Sequence, residues 1–153
     1  MRRKMPIPHT LAEVDLSYYL TFVRGEDPSV MEKPERKRPV RNEPDRKTAV
    51  LLRSDSIGDE KSVGRVLMKE FLNSLRFAKR IPGTLILMNS AVRLAESSGS
   101  SFCISELERA GVRIIVCMTS AEAYGITSMS AGYPASMDEI VSALSEASKI
   151  ITV

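Results

Sequence analysis

Residues 112–117, VRIIVC, constrain the fold of this chain more than any other stretch. Five of the six side chains are apolar and four of them, Val112, Ile114, Ile115 and Val116, are β-branched. That is the composition of a short strand buried on both faces of a parallel sheet. Small and polar residues follow at once. Thr119 with Glu122 has the form of a capping box, so the chain is expected to turn into a helix directly after Cys117. Open α/β sheets hold their working groups outside the carboxyl ends of the strands. Cys117 is therefore the first place where chemistry is expected.

A parallel strand needs neighbours joined by crossovers, and the sequence supplies them. Residues 48–53 read as a first strand, ending in the polar loop 54–58, with Asp59 or Ser56 as cap of the following helix. That helix, about 60–79, has Val63, Leu67, Phe71, Leu75 and Ala78 on one stripe, widened by Met68 and Leu72, with Lys61, Arg65 and Lys69 opposite. After Pro82-Gly83, residues 84–89 form a second strand. A Ser- and Gly-rich loop follows over 90–101, with a helical turn at 91–95. A helix over 101–110 stops at Gly111, a natural C-cap. Beyond the 112–117 strand, a short strand is expected at 128–132. Ser136 and Glu139 make a second capping box, opening a helix to about Ala147, and 149–153 is the last strand. This alternation predicts a three-layer α/β/α sandwich with a parallel sheet of about five strands.

Residues 1–47 differ from the rest. They hold 11 Lys/Arg against 8 Asp/Glu, whereas 48–153 hold 11 of each, so the formal charge of +3 belongs to the leader. Leu11, Val14, Tyr18 and Phe22 stand at helical spacing within 1–23, a packing stripe for the main domain or for another subunit. Residues 24–47 alternate charges with prolines at 28, 34, 39 and 44, the pattern of an extended tether, so the folded domain is expected over 48–153. A neutral domain without Trp, and without basic residues interleaved with aromatics, does not predict nucleic-acid binding. No apolar run of bilayer or signal-peptide length occurs, so no membrane association and a cytoplasmic location are expected. Two cysteines and the lone His9 make neither a disulfide framework nor a zinc site. The 54–58 loop lacks the glycine pattern of a phosphate loop, and no cofactor or metal is expected.

Taken in order, Ser54-Asp55-Ser56-Ile57-Gly58 with its long helix, the run 89–95 (NSAVRLA), Cys117-Met118-Thr119-Ser120 with Tyr124-Gly125, the run 137–141 (MDEIV) and the run 150–153 (IITV) resemble the DsrE-like domain of the YedF-type sulfurtransferase-like proteins. The resemblance spans 47–153. It implies a flavodoxin-like three-layer domain, a tendency to homo-oligomerise, and a place in sulfur or selenium relay beside a sulfur-carrier protein, with Cys117 as the persulfide carrier. This chain departs from the pattern twice. Ser120 stands where a second cysteine is often found, and the leader contains no cysteine and is too short for the N-terminal sulfur-carrier module with its Cys-Pro-x-Pro motif. Exchange between two cysteines in the one loop is thereby excluded.

Two readings of Cys117 stand side by side. One is a thiolate favoured by helix-terminal and loop amides and able to hold sulfane sulfur. The other is a buried structural thiol, the commoner fate of a free cysteine. Cys103, spaced helically with Leu107 and Ala110, reads as core. Ser54, Asp55 and Ser56 end the first strand and Asn89 and Ser90 the second. With Thr119, Ser120 and Tyr124 they are expected to line one substrate pocket. The function expected is an intracellular sulfur relay on Cys117. The alternative is a non-catalytic DsrE-like subunit or small-ligand-binding module that uses the fold for assembly.

Overall fold

A computed structural model describes residues 43–96 and 101–153. The leader stripe, the tether up to residue 42 and residues 97–100 of the Ser/Gly loop lie outside the described residues. The order is β1 (Asp45–Leu52), α1 (Lys61–Leu75), β2 (Pro82–Leu87), a 3-10 helix (Asn89–Ala95), α2 (Ser101–Arg109), β3 (Arg113–Cys117), α3 (Met118–Ala123), β4 (Tyr133–Ala135), α4 (Met137–Glu146) and β5 (Lys149–Thr152). The five strands form one parallel sheet in the order β4-β3-β2-β1-β5.

Strand alternation sorts the apolar side chains onto two faces. Val50, Leu52, Leu85, Leu87, Ile114 and Val116 point to one, where they meet Met68 and Leu72 of α1, Ile104 and Leu107 of α2, and Ala91 and Val92 of the 3-10 helix. Ile86, Ile115, Cys117 and Ala135 point to the other, against Ile140 and Ala143 of α4. This is the expected three-layer sandwich, with unequal layers. A fully buried Leu or Ile contributes about 1.5–3 kcal/mol. Among the described residues the first face therefore contributes more, and the largest fully buried side chains of the second are Ile86, Ile115 and Ile140.

Several local expectations are corrected. The cap of α1 is Glu60, which accepts from the Ser62 N–H at 3.3 Å and the Ser62 hydroxyl at 2.7 Å, and not Asp59 or Ser56. The stripe expected for this helix faces the core at Met68, Leu72, Phe71, Leu75 and Ala78, with Gly64 buried in line, but Leu67 is 42% exposed. Gly64 is where α1 comes closest to the preceding loop. A Cβ there would stand 2.6 Å from the Ile57 carbonyl oxygen, so only glycine lets α1 press on the 54–58 loop. The helix ends at Leu75 and not near Lys79, because Phe77 and Ala78 donate to the carbonyls three residues back and tighten the chain into a turn. β1 begins at Asp45, three residues ahead of the expected Thr48.

The strand expected at 128–132 is absent. Met129 only bridges Glu96, and Gly132 turns the chain with φ +81°, so that pairing with β3 starts at Tyr133 and ends with Ala135 opposite Cys117. Thr119 and Glu122 form no capping box. α3 starts directly at Met118 with Cys117 as its N-cap, which places Thr119 inside the helix. The Ser136–Glu139 box does form. The Ser136 hydroxyl oxygen accepts from the Glu139 N–H at 3.3 Å, and a Glu139 carboxylate oxygen accepts from the Ser136 N–H at 2.8 Å.

Candidate functional site

The carboxyl ends of β1, β2 and β3 lie side by side, and there the sequence had placed its polar residues. Ser54 leaves β1, and its Oγ accepts from the Ser56 N–H at 3.2 Å while sharing a hydroxyl contact with Ser56 at 3.1 Å. The Ser90 Oγ accepts from the Asp55 N–H at 3.2 Å, and the Ser90 hydroxyl reaches Ser54 Oγ at 3.5 Å. The Ile57 N–H donates to the Gly64 carbonyl, holding this loop on α1. Ser54, Asp55, Ser56 and Ser90 are thus one hydroxyl-rich network, tied to α1 by the Arg65–Asp55 ion pair at 3.3 Å.

A second network adjoins it through the Asn89-Ser90 peptide. Asn89 takes a left-handed φ of +52°, one of the few conformations asparagine tolerates better than other residues. Its N–H donates to Ser120 Oγ at 2.9 Å, and its Oδ1 accepts from the Tyr124 hydroxyl at 2.7 Å. The Arg93 guanidinium lies 4.8 Å from the centre of the Tyr124 ring. β2 is thereby pinned to α3 at its exit. Thr119 is exposed at the start of α3.

Cys117 is brought to the same edge of the sheet but not to the same face. Its side chain belongs with Ile86, Ile115, Ala135, Ile140 and Ala143 beneath α4, and the residue is 2% exposed. The cluster around the thiol is apolar. Above it begins α4, whose Glu139 carboxyl is held below the usual glutamate range, chiefly by the Ser136 backbone N–H and then by the Ser136 hydroxyl. Cys103 is half-buried against the first-face core, as expected of a packing residue.

Arg65 and Arg93 were missed as members of these networks. Arg65 carried a signal for a solvent face, which it keeps at 58% side-chain exposure while still reaching Asp55. Arg93 had no pattern to betray it. A separate cleft of about 540 Å³ opens at the opposite, amino-terminal end of the strands, between Arg46, Thr84, Arg113 and Glu146. It contains none of the expected site residues. Among the described residues no group of three or more His, Cys, Asp or Glu could hold a metal ion, and no helix is long and apolar enough to cross a membrane.

No family model and no curated protein matches this chain. Among solved structures, the crystal structure of the ychN protein from E. coli is similar at 17% identity and a TM-score of 0.53, over 70% of this chain and 99% of that one. A conserved protein of unknown function, BT1422 from Bacteroides thetaiotaomicron, is similar at 21% identity and a TM-score of 0.49, over 70% and 95%. The likeness to ychN shows a DsrE-like α/β fold for this chain.

Proposed function

We propose that the protein is a sulfur-relay protein that receives sulfane sulfur on Cys117 and passes it to a sulfur-carrier partner. The observation that carries the reading is the position of Cys117. It ends β3 at the carboxyl edge of the sheet, where open α/β sheets hold their working groups, and α3 begins at the next residue. The DsrE-like fold is compatible with such a relay, and the motif order along the sequence points the same way. In the loading step the Cys117 thiolate attacks the outer sulfur of a donor persulfide. The donor's S–S bond breaks, a new one forms at Cys117, the outer sulfur keeps its proton and the donor leaves as a thiolate. No outside oxidant is needed. Transfer to the acceptor is the same exchange in reverse.

In this reading Ser54, Asp55, Ser56, Asn89, Ser90, Thr119, Ser120 and Tyr124 form a polar patch at the same edge of the sheet that helps to dock the partner, while the thiol itself lies on the α4 side. The setting is reducing and cytoplasmic, and the working form is a homo-oligomer. A second reading draws on the burial of Cys117 among apolar side chains: the thiol is structural, and the protein is a non-catalytic subunit or a binder of a small ligand at the hydroxyl network. Incubating the full-length protein, Cys117→Ser and Cys103→Ser with a polysulfide donor separates the two. The relay predicts a gain of one sulfur in the wild type and in Cys103→Ser and none in Cys117→Ser. Equal behaviour of all three proteins favours the structural thiol.

A further inference from the structure

The thiol of Cys117 has to meet a partner, yet the residue is 2% exposed, so something must move. α3 is not the cover, because its buried residue Ala121 and the following Tyr124 and Ile126 pack on the other face. Within the sheet, Cys117 is opposite Ala135, and Ala135 immediately precedes Ser136, the cap of α4. One turn into α4, Ile140 packs in the same cluster as Cys117. Among the described residues, α4 is the helix that packs on this face.

The hold of α4 on the sheet is slight. Ile140 and Ala143 are its buried residues and Leu144, partly buried, packs beside them, while Met137 and Val141 turn outward at 48% and 54% exposure. Its first turn is capped by the pair of reciprocal Ser136–Glu139 bonds, beside the Ile140 N–H donating to the Ser136 carbonyl. Segments with few buried apolar contacts open locally at a fraction of the cost of global unfolding.

We propose that the first turn of α4 is a gate over Cys117: reagents and partners reach the thiol by local opening of that turn, and the Ser136–Glu139 box sets how often it opens. The functional meaning of the gate rests on Cys117 being the sulfur carrier. The opening itself is measurable whatever Cys117 carries, so failure of sulfur loading and failure of the gate are separate results.

The test is the rate at which iodoacetamide alkylates Cys117 in the full-length protein under native conditions, followed by peptide mass spectrometry with Cys103 as internal reference. Ser136→Ala removes the cap and is expected to speed Cys117 alkylation by about fivefold, the factor that matches the usual cost of a lost N-cap, with Cys103 unchanged. Ile104→Val destabilises the opposite face and is expected to leave the Cys117 rate as it was. Equal acceleration by the two variants would show that the thiol is reached by global unfolding. No acceleration in Ser136→Ala would show that the α4 turn is not the route. Either result overturns the proposal.

Discussion

Gly64 shows how one missing methyl shapes the candidate site. A helix interior normally gains about 1 kcal/mol when glycine becomes alanine. Here the new Cβ would meet the Ile57 carbonyl oxygen at 2.6 Å and Ser56 Cβ at 3.0 Å. Backbone must shift to admit it, and overpacking of this kind costs about 1–3 kcal/mol. Gly64→Ala is therefore expected to lower the urea midpoint and to disturb the Ser54–Ser56–Ser90 network. A raised midpoint would mean that the loop yields freely. Asn89 works in the opposite sense. It accepts a left-handed backbone, and its side chain and N–H both bind α3 or the residue after it. Asn89→Ala keeps the strain and loses the Tyr124 bond, so a loss of about 1–2 kcal/mol in chemical denaturation is expected.

At the scale of elements, α4 has a pH dependence that can be worked out. The Glu139 pKa is lowered in the folded state, so its contribution is complete above the unfolded value and drains away as pH falls through the folded one. Hydrogen exchange at the first-turn amides of α4 should quicken, relative to the sheet, on acidification from about pH 6 to below about pH 4. Glu139→Gln should flatten that trend, and an unaltered trend would assign it to another group. The box was legible in the sequence because its two partners are three residues apart. So were β1, β2 and β3, whose apolar runs are too short for helices and too β-branched for loops. β4 was misplaced because Tyr133-Pro134-Ala135 has no apolar run of its own and is a strand only through pairing with β3. In the α1 stripe Leu67 is out of place, because periodicity counts large side chains and cannot see that Gly64 is a contact surface. The hydroxyl networks were legible as strand-end residues, but their bonds join partners 31 to 36 positions apart. The face on which Cys117 would lie followed from topology, which a residue pattern leaves open.

For the molecule as a whole, the unequal layers matter most. Among the described residues, one face of the sheet is covered by α1, α2 and the 3-10 helix, the other by α4. β5 is an edge strand whose four residues are all exposed, with Ile150 at 46% and Ile151 at 37%. Apolar exposure of this kind fits the homo-oligomer we propose. Sedimentation of the full-length protein at micromolar concentration should give a mass above that of one chain, and a monomer there would dismiss the oligomer without touching the relay. The relay itself is tested most directly on the wild-type protein. After exposure to a polysulfide donor and blocking of free thiols, peptide mass spectrometry should find one added sulfur on the peptide that holds Cys117, removable by excess dithiothreitol. Added sulfur on Cys103 alone, or on neither cysteine, would contradict the account.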